Sequence, residues 1–221
     1  METSLPTVHS HRSRAVPTAL KPRKKPIQTR STVTVDAIVE ATIRILRQDG
    51  WAACTTTRIA ALAGVSVGSL YQYFPNRNAI AVEIIRQRTR TYLAAVLAAD
   101  LTGAATPGET VDRAIAAFVI EKRKGLDVSL ALRDALPEVQ GRQTIIEEAR
   151  RFVPALQAKL AAAGAGTTAP LQLAVALAAV EGAVWEIMAQ DEAAIERPEA
   201  IAALSRVFKA AAGFSPAAAG R

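Results

Sequence analysis

The stretch AGVSVGSLYQYFPNR, Ala63 to Arg77, decides the reading of this chain. Gly64 interrupts a helical pattern, and Ser66 two residues later is a strong N-cap residue. Ser66 opens a helix of only two turns, to about Phe74, in which Leu70 and Phe74 stand at i and i+4 and face inward. Pro75-Asn76 breaks the chain again. Upstream, Thr55 caps another short helix with Ile59, Ala60 and Ala63 on one face, ended by Gly64. Two short helices joined by a tight glycine turn match a helix-turn-helix, in which the second helix enters a DNA major groove and the first crosses the backbone.

Chemistry assigns the side chains. Ser66 caps the second helix, whose free N–H groups and positive dipole end suit a phosphate. Gly68 costs about 1 kcal/mol relative to Ala inside a helix, and makes sense where a side chain would hold the helix off the groove floor. Ser69 and Tyr71 can reach base edges, and Val67 a thymine methyl. Tyr73 and Arg77 supply a hydroxyl and a cation for phosphates. On spacing alone, Tyr71, Tyr73 and Phe74 serve equally well as core aromatics.

Outward from this stretch the chain reads as helix throughout. A first helix runs from near Thr34 to about Asp49, with Ile38, Ala41, Ile45 and Leu46 inward and Gly50 at its end. A long helix runs from about Arg77 to Asp100, and further helices are expected at 108–124, 126–135, 142–162, 170–190 and 197–213. Pro154 should kink the helix it lies in. The expected fold class is all-α: an N-terminal three-helix helix-turn-helix domain, 32–80, behind a basic arm, 1–31, and ahead of a larger helical domain, 81–221.

Net charge is +7, but residues 1–30 hold seven bases and one acid, so residues 31–221 contribute only +1. The arm, with Pro6, Pro17, Pro22 and Pro26, cannot bury a core. It suits either a solubilising tail or a DNA-binding arm in which Lys24, Lys25 or Arg30 reaches phosphate or the minor groove. Its acid-poor, Arg- and Ser-containing composition is also that of a transit peptide. The single cysteine, Cys54, excludes an intramolecular disulfide and fits a reducing compartment. The two histidines, His9 and His11, both lie in the arm. No metal-ligand cluster, phosphate loop or nucleophile elbow is present, so neither catalysis nor a metal nor a cofactor is expected. The longest uncharged run, Leu160 to Val180, is broken by Gly164, Gly166 and Pro170 and reads as two helix ends and a loop, not a membrane span.

Thr34 to Ile80 resembles the DNA-binding domain of the TetR (tetracycline-repressor-like) family of bacterial transcription regulators. The likeness is carried by Gly50-Trp51, Thr55-Thr56, Ile59-Ala60, Ala63-Gly64-Val65-Ser66, Gly68-Ser69-Leu70-Tyr71, Tyr73-Phe74 and Arg77. It spans 47 residues, about a fifth of the chain. The resemblance implies that Thr56 meets phosphate, that Val67, Gly68, Ser69 and Tyr71 approach bases, and that Ser66, Tyr73 and Arg77 meet the backbone. Thr55 and Gln72 complete the implied DNA-contacting set. Several positions depart from the family pattern: Arg77 and Val67 stand where Lys is common, Trp51 where Tyr or Phe is, Leu46 where Phe is, and Cys54 where Thr is.

The resemblance further implies a cytoplasmic, nucleoid-associated homodimer, most often a repressor released from a palindromic operator by a small effector. An activator, or a helical interaction protein without ligand-released repression, is the alternative. Residues 171–190 are apolar almost all round, and 197–213 carry an Ile201, Leu204, Val207, Phe208 stripe. These two helices fit a four-helix dimer interface, and equally the core of a monomer. Phe118, Phe152, Trp185 and Met188, with Arg133 for an acidic group, are the candidate lining of a largely apolar effector pocket.

Overall fold

A computed structural model describes residues 29–214, and among them all regular structure is helical. Nine α-helices follow one another among the described residues: α1 (Thr29–Asp49), α2 (Thr56–Leu62), α3 (Val67–Tyr73), α4 (Arg77–Ala98), α5 (Pro107–Arg123), α6 (Leu126–Ala131), α7 (Gly141–Ala162), α8 (Pro170–Gln190) and α9 (Pro198–Ala212). Short 3-10 turns at Trp51–Ala53, Arg133–Ala135 and Glu192–Glu196 link them.

Local chemistry sets most of these ends. Thr55, Ser66, Asn76 and Thr106 each accept a backbone N–H three residues on with their side-chain oxygen. At the end of α2 the N–H of Val65 bonds to the Ala60 carbonyl and that of Gly64 to Ala61, while Gly64 takes φ +68°. That double closure needs a left-handed residue, which glycine adopts at no steric cost. The first helix begins at Thr29, five residues before Thr34, the expected cap. After Pro26 no helix breaker intervenes, so the helix extends back through Arg30. The segment expected as one helix over 126–135 closes at Ala131 and continues as a 3-10 turn.

Two apolar cores organise the helices. The first binds α1, α2, α3 and the start of α4 around Ile38, Ile45, Leu46, Ile59, Leu70, Phe74 and Ile80. Val128, Leu132, Ala135 and Val139 join it, so the segment after α5 is part of the same packed unit as the head. Arg47 pairs with Asp127 at 2.5 Å, which ties α1 to α6 directly. The second core packs α5, α7, α8 and α9 with the far half of α4, around Val111, Ile115, Leu156, Leu173, Val180, Val184, Leu204 and Phe208. Glu148 of α7, 1% exposed, pairs with Arg86 (3.6 Å) and Arg90 (2.9 Å) of α4 and with Arg151 (2.8 Å), fastening the long helix to the second core.

Candidate nucleic-acid interface and ligand cavity

Helices α2 and α3 form a compact pair on the head. Leu70 and Phe74 are fully buried and seat α3 on the first core. Gly68, Tyr71 and Gln72, spaced i, i+3, i+4, make up its solvent face. A Cβ built on Gly68 would meet nothing closer than Ser66 Oγ at 3.8 Å. The fold therefore imposes no steric demand for glycine there. Tyr71 and Thr56 share a 3.1 Å hydroxyl–hydroxyl hydrogen bond that links the start of α2 to the exposed face of α3. Ser66 Oγ accepts the Ser69 N–H at 3.0 Å and lies 2.8 Å from Ser69 Oγ, so the cap engages both side chains. Thr55 is used as a cap, accepting from the Arg58 N–H at 3.3 Å. Val67 and Tyr73 are half-buried and pack against the head's core. Arg77 stacks over the Trp51 ring at 4.5 Å, donates to the Trp51 carbonyl at 3.3 Å and lies 3.7 Å from Glu138.

An apolar cavity of about 90 Å³ lies between α4, α5, α7 and α8. Tyr92, Leu93 and Val96 of α4, Phe118 of α5 and Trp185 of α8 form much of its wall. That volume holds several waters or the body of a small organic molecule. Arg142 and Arg150 stand at its edge, and Glu181 is its carboxylate.

Residues 38–84, which hold α2, α3 and their turn, match the family model described as bacterial regulatory proteins, tetR family. Over those residues the chain is similar to the DNA-binding domain of the tetR family of bacterial regulatory proteins. Its fold is shared with solved regulators of low sequence identity. The multidrug binding protein EbrR, solved with imidazole, superposes at TM-score 0.60 and 22% identity, over 84% of this chain and 98% of that one. A TetR transcriptional regulator from Rhodococcus sp. RHA1 gives 0.56 and 18%, over 82% and 97%. The fatty acid degradation regulator FadR from Bacillus halodurans gives 0.54 and 18%, over 85% and 97%. No curated protein sequence matches the chain.

The structure sorts the expected pocket residues. Phe118 and Trp185 line the cavity. Met188 does not: it is buried on the Leu173, Ala176, Val180, Val184 stripe of α8 that faces the second core. Phe152 is one residue out of step with the inward stripe of α7, which continues through buried Val153. Arg133 lies in the 3-10 turn after α6 and points to solvent. Lys24, Lys25 and the side chain of Arg30 lie outside the described residues.

Tyr92, Lys122 and Glu181 were not among the expected site residues. Glu181 had a legible signal, as the lone charge in the apolar run 171–185. Lys122, 2% exposed, had none, because it ends a helix whose last turn reads as ordinary solvent-facing charge. Cys54 is fully buried, and that burial pushes its thiol up to about 11, so it stays protonated and unreactive at neutral pH.

Proposed function

We propose that this chain acts as a cytoplasmic homodimer on bacterial operator DNA and is released by a small, largely apolar effector, as a repressor. Residues 32–80 would form the reading head and 81–221 the effector and dimer domain, with the 128–139 segment of the second closing the core of the first. One observation carries the reading: only three residues separate α3 from α4, and the far half of α4 walls the cavity. A 22-residue helix spans about 33 Å at 1.5 Å per residue, so ligand-driven tilting at Tyr92 moves the recognition helix at the other end. Two half-sites on a duplex have fixed spacing, and a shift of a few ångströms in the separation of two α3 helices ends specific binding.

A dimer is supported by the outer face of α8. Leu171 is 75% exposed and Val175 51%, and Ala178 and Gly182 continue the same stripe. The helix is long and apolar enough to cross a membrane, but its opposite face is packed into the second core beside α7 and α9. An apolar stripe of small residues beside α9 suits a two-fold four-helix contact.

Base reading is assigned to Gly68, Ser69, Tyr71 and Gln72, with Val67 beside them, and backbone contact to Thr55, Thr56, Ser66, Tyr73 and Arg77. Gly68→Ala separates fold from function. Helix propensity makes the variant more stable by about 0.5–1 kcal/mol, because nothing in the fold obstructs the new methyl. Operator affinity should fall at the same time. A variant both more stable and equally tight on operator would remove Gly68 from the interface. Arg77→Ala should lower stability by about 1 kcal/mol through the lost Trp51 stacking. It should also reduce the slope of log affinity against log salt by about one on any DNA. An unchanged slope would leave Arg77 a purely structural residue.

The test of the reading is selection of bound duplexes from a random library by the purified protein at near-physiological salt. A palindromic enriched site supports the dimeric regulator, and failure to enrich any sequence from a folded preparation argues against it. With that operator, effector should weaken operator binding by the same factor as operator weakens effector binding.

A further inference from the structure

Between the apolar cavity and α6 lies a second chamber of about 30 Å³, built around Arg88. Thr89, Tyr92, Glu181 and Trp185 border both spaces, so the two share a wall. Arg88 Nε donates to the Tyr92 hydroxyl at 3.1 Å. That hydroxyl lies 3.1 Å from Ser129 Oγ, and Ser129 Oγ donates to the Gly125 carbonyl at 3.1 Å. Each hydroxyl has one proton to give. Tyr92 therefore donates to Ser129 and Ser129 to Gly125, and the chain closes without an acceptor for the rest of the guanidinium. Arg88 Nη2 is buried and has no hydrogen-bond partner among the described residues.

The charge count points the same way. Lys122 pairs with Glu181 at 2.7 Å, and its Nζ sits 4.8 Å from the centre of the Tyr92 ring, 5.7 Å from Phe118 and 5.6 Å from Trp185. Glu181 also accepts from Trp185 Nε1 at 3.0 Å, so its charge is taken up. Asp127, the carboxylate of α6, is held by Arg47. Arg88 also lies within electrostatic reach of Asp127, so Arg47, Arg88 and Lys122 face two carboxylates, Asp127 and Glu181, and the cluster carries one uncompensated positive charge, which a protein interior tolerates poorly. Gly125 fits this arrangement. Its φ of −129° is open to any residue, yet a Cβ there would lie 1.4 Å from Arg88 Nη2. Glycine at this position clears space for the guanidinium.

We infer that the effector is an amphipathic anion, with its apolar body in the larger cavity and a carboxylate in the smaller chamber, hydrogen-bonded by Arg88 Nη2 and flanked by Lys122. The inference rests on the proposed effector role of the cavity and adds the class of ligand. Arg88 lies eleven residues beyond Arg77 on α4, so capture of the carboxylate acts on the helix that carries the reading head.

Octanoate, octanol and octylammonium present one chain with three heads. Titrated calorimetrically into the purified full chain, octanoate is expected to bind about 10- to 100-fold more tightly than octanol, the range of a charge-assisted hydrogen bond. Arg88→Met and Gly125→Ala should each bring octanoate to the octanol level while octanol affinity stays unchanged, which also reports an intact cavity. Equal binding of octanoate and octanol, or a preference for octylammonium, overturns the anion assignment and leaves the effector cavity standing. Preference retained in Arg88→Met places the carboxylate at the Arg142 and Arg150 edge and overturns it as well. Failure of all three probes to bind overturns both readings.

Discussion

Leu171→Glu combined with Val175→Glu is expected to leave the protein monomeric and to weaken operator binding by on the order of a hundredfold or more. A two-fold contact brings the same patch of each subunit to the axis, so two substitutions place four carboxylates in one apolar interface. Burying them unpaired costs more than such an interface gains. The subunit itself should not suffer, because both side chains are largely exposed in it. A monomer keeps its head but loses the second half-site, and with it the intramolecular advantage of the second contact. Light scattering after size exclusion gives the oligomeric state, and titration of the selected operator gives the affinity. A double variant that remains a dimer would move the interface away from the outer face of α8. A variant that is monomeric yet binds operator undiminished would show that one head suffices.

Glu148→Ala is expected to destabilise the fold by about 2–3 kcal/mol. Glu148 is the buried meeting point of Arg86, Arg90 and Arg151. Removing a buried partner is most costly when the remaining charge stays buried. Arg90 and Arg151, 46% and 63% exposed, can turn to water, whereas Arg86, 13% exposed, keeps Glu83 at 3.9 Å. That mixture places the expected cost at or just below the lower end of the range for broken buried pairs, about 3–5 kcal/mol. Urea unfolding at neutral pH measures it, and Glu148→Gln, which keeps the shape and removes the charge, should fall between wild type and Ala. A loss below about 0.5 kcal/mol, the range of ordinary surface substitutions, would show that apolar packing alone holds α4 on α7.

The head was legible in the sequence because its determinants are local. Thr55, Ser66 and Asn76 cap helices through N–H groups three residues away, and Gly64 and Val65 close α2 by donating to carbonyls three and five residues back, respectively. Such contacts span one turn, so their residue types appear in the sequence at fixed spacing. The start of α1 was placed five residues too late because Thr34, itself a good N-cap residue, marks a helix start locally although the helix already runs through it. The second role of Arg77 was also hidden, since Glu138, which it faces, stands 61 positions further along the chain.

The cavity was not legible for a related reason. Trp185 and Met188 lie one turn apart on a helix that is apolar on nearly every face, so periodicity could not say which faces the void and which the core. Packing of α8 against α7 and α9 decided it. Arg88 and Lys122 each read as an ordinary charge on an ordinary helix, and Glu181, though the lone charge of an apolar run, carries no sign of which distant cations it meets. The sequence by itself determined the two short helices and the turn between them, because those follow from contacts within a turn or two. Only the tertiary structure brought two cations and one carboxylate into the same buried place, because long-range charge balance depends on how separate helices pack and leaves no periodic trace along the chain.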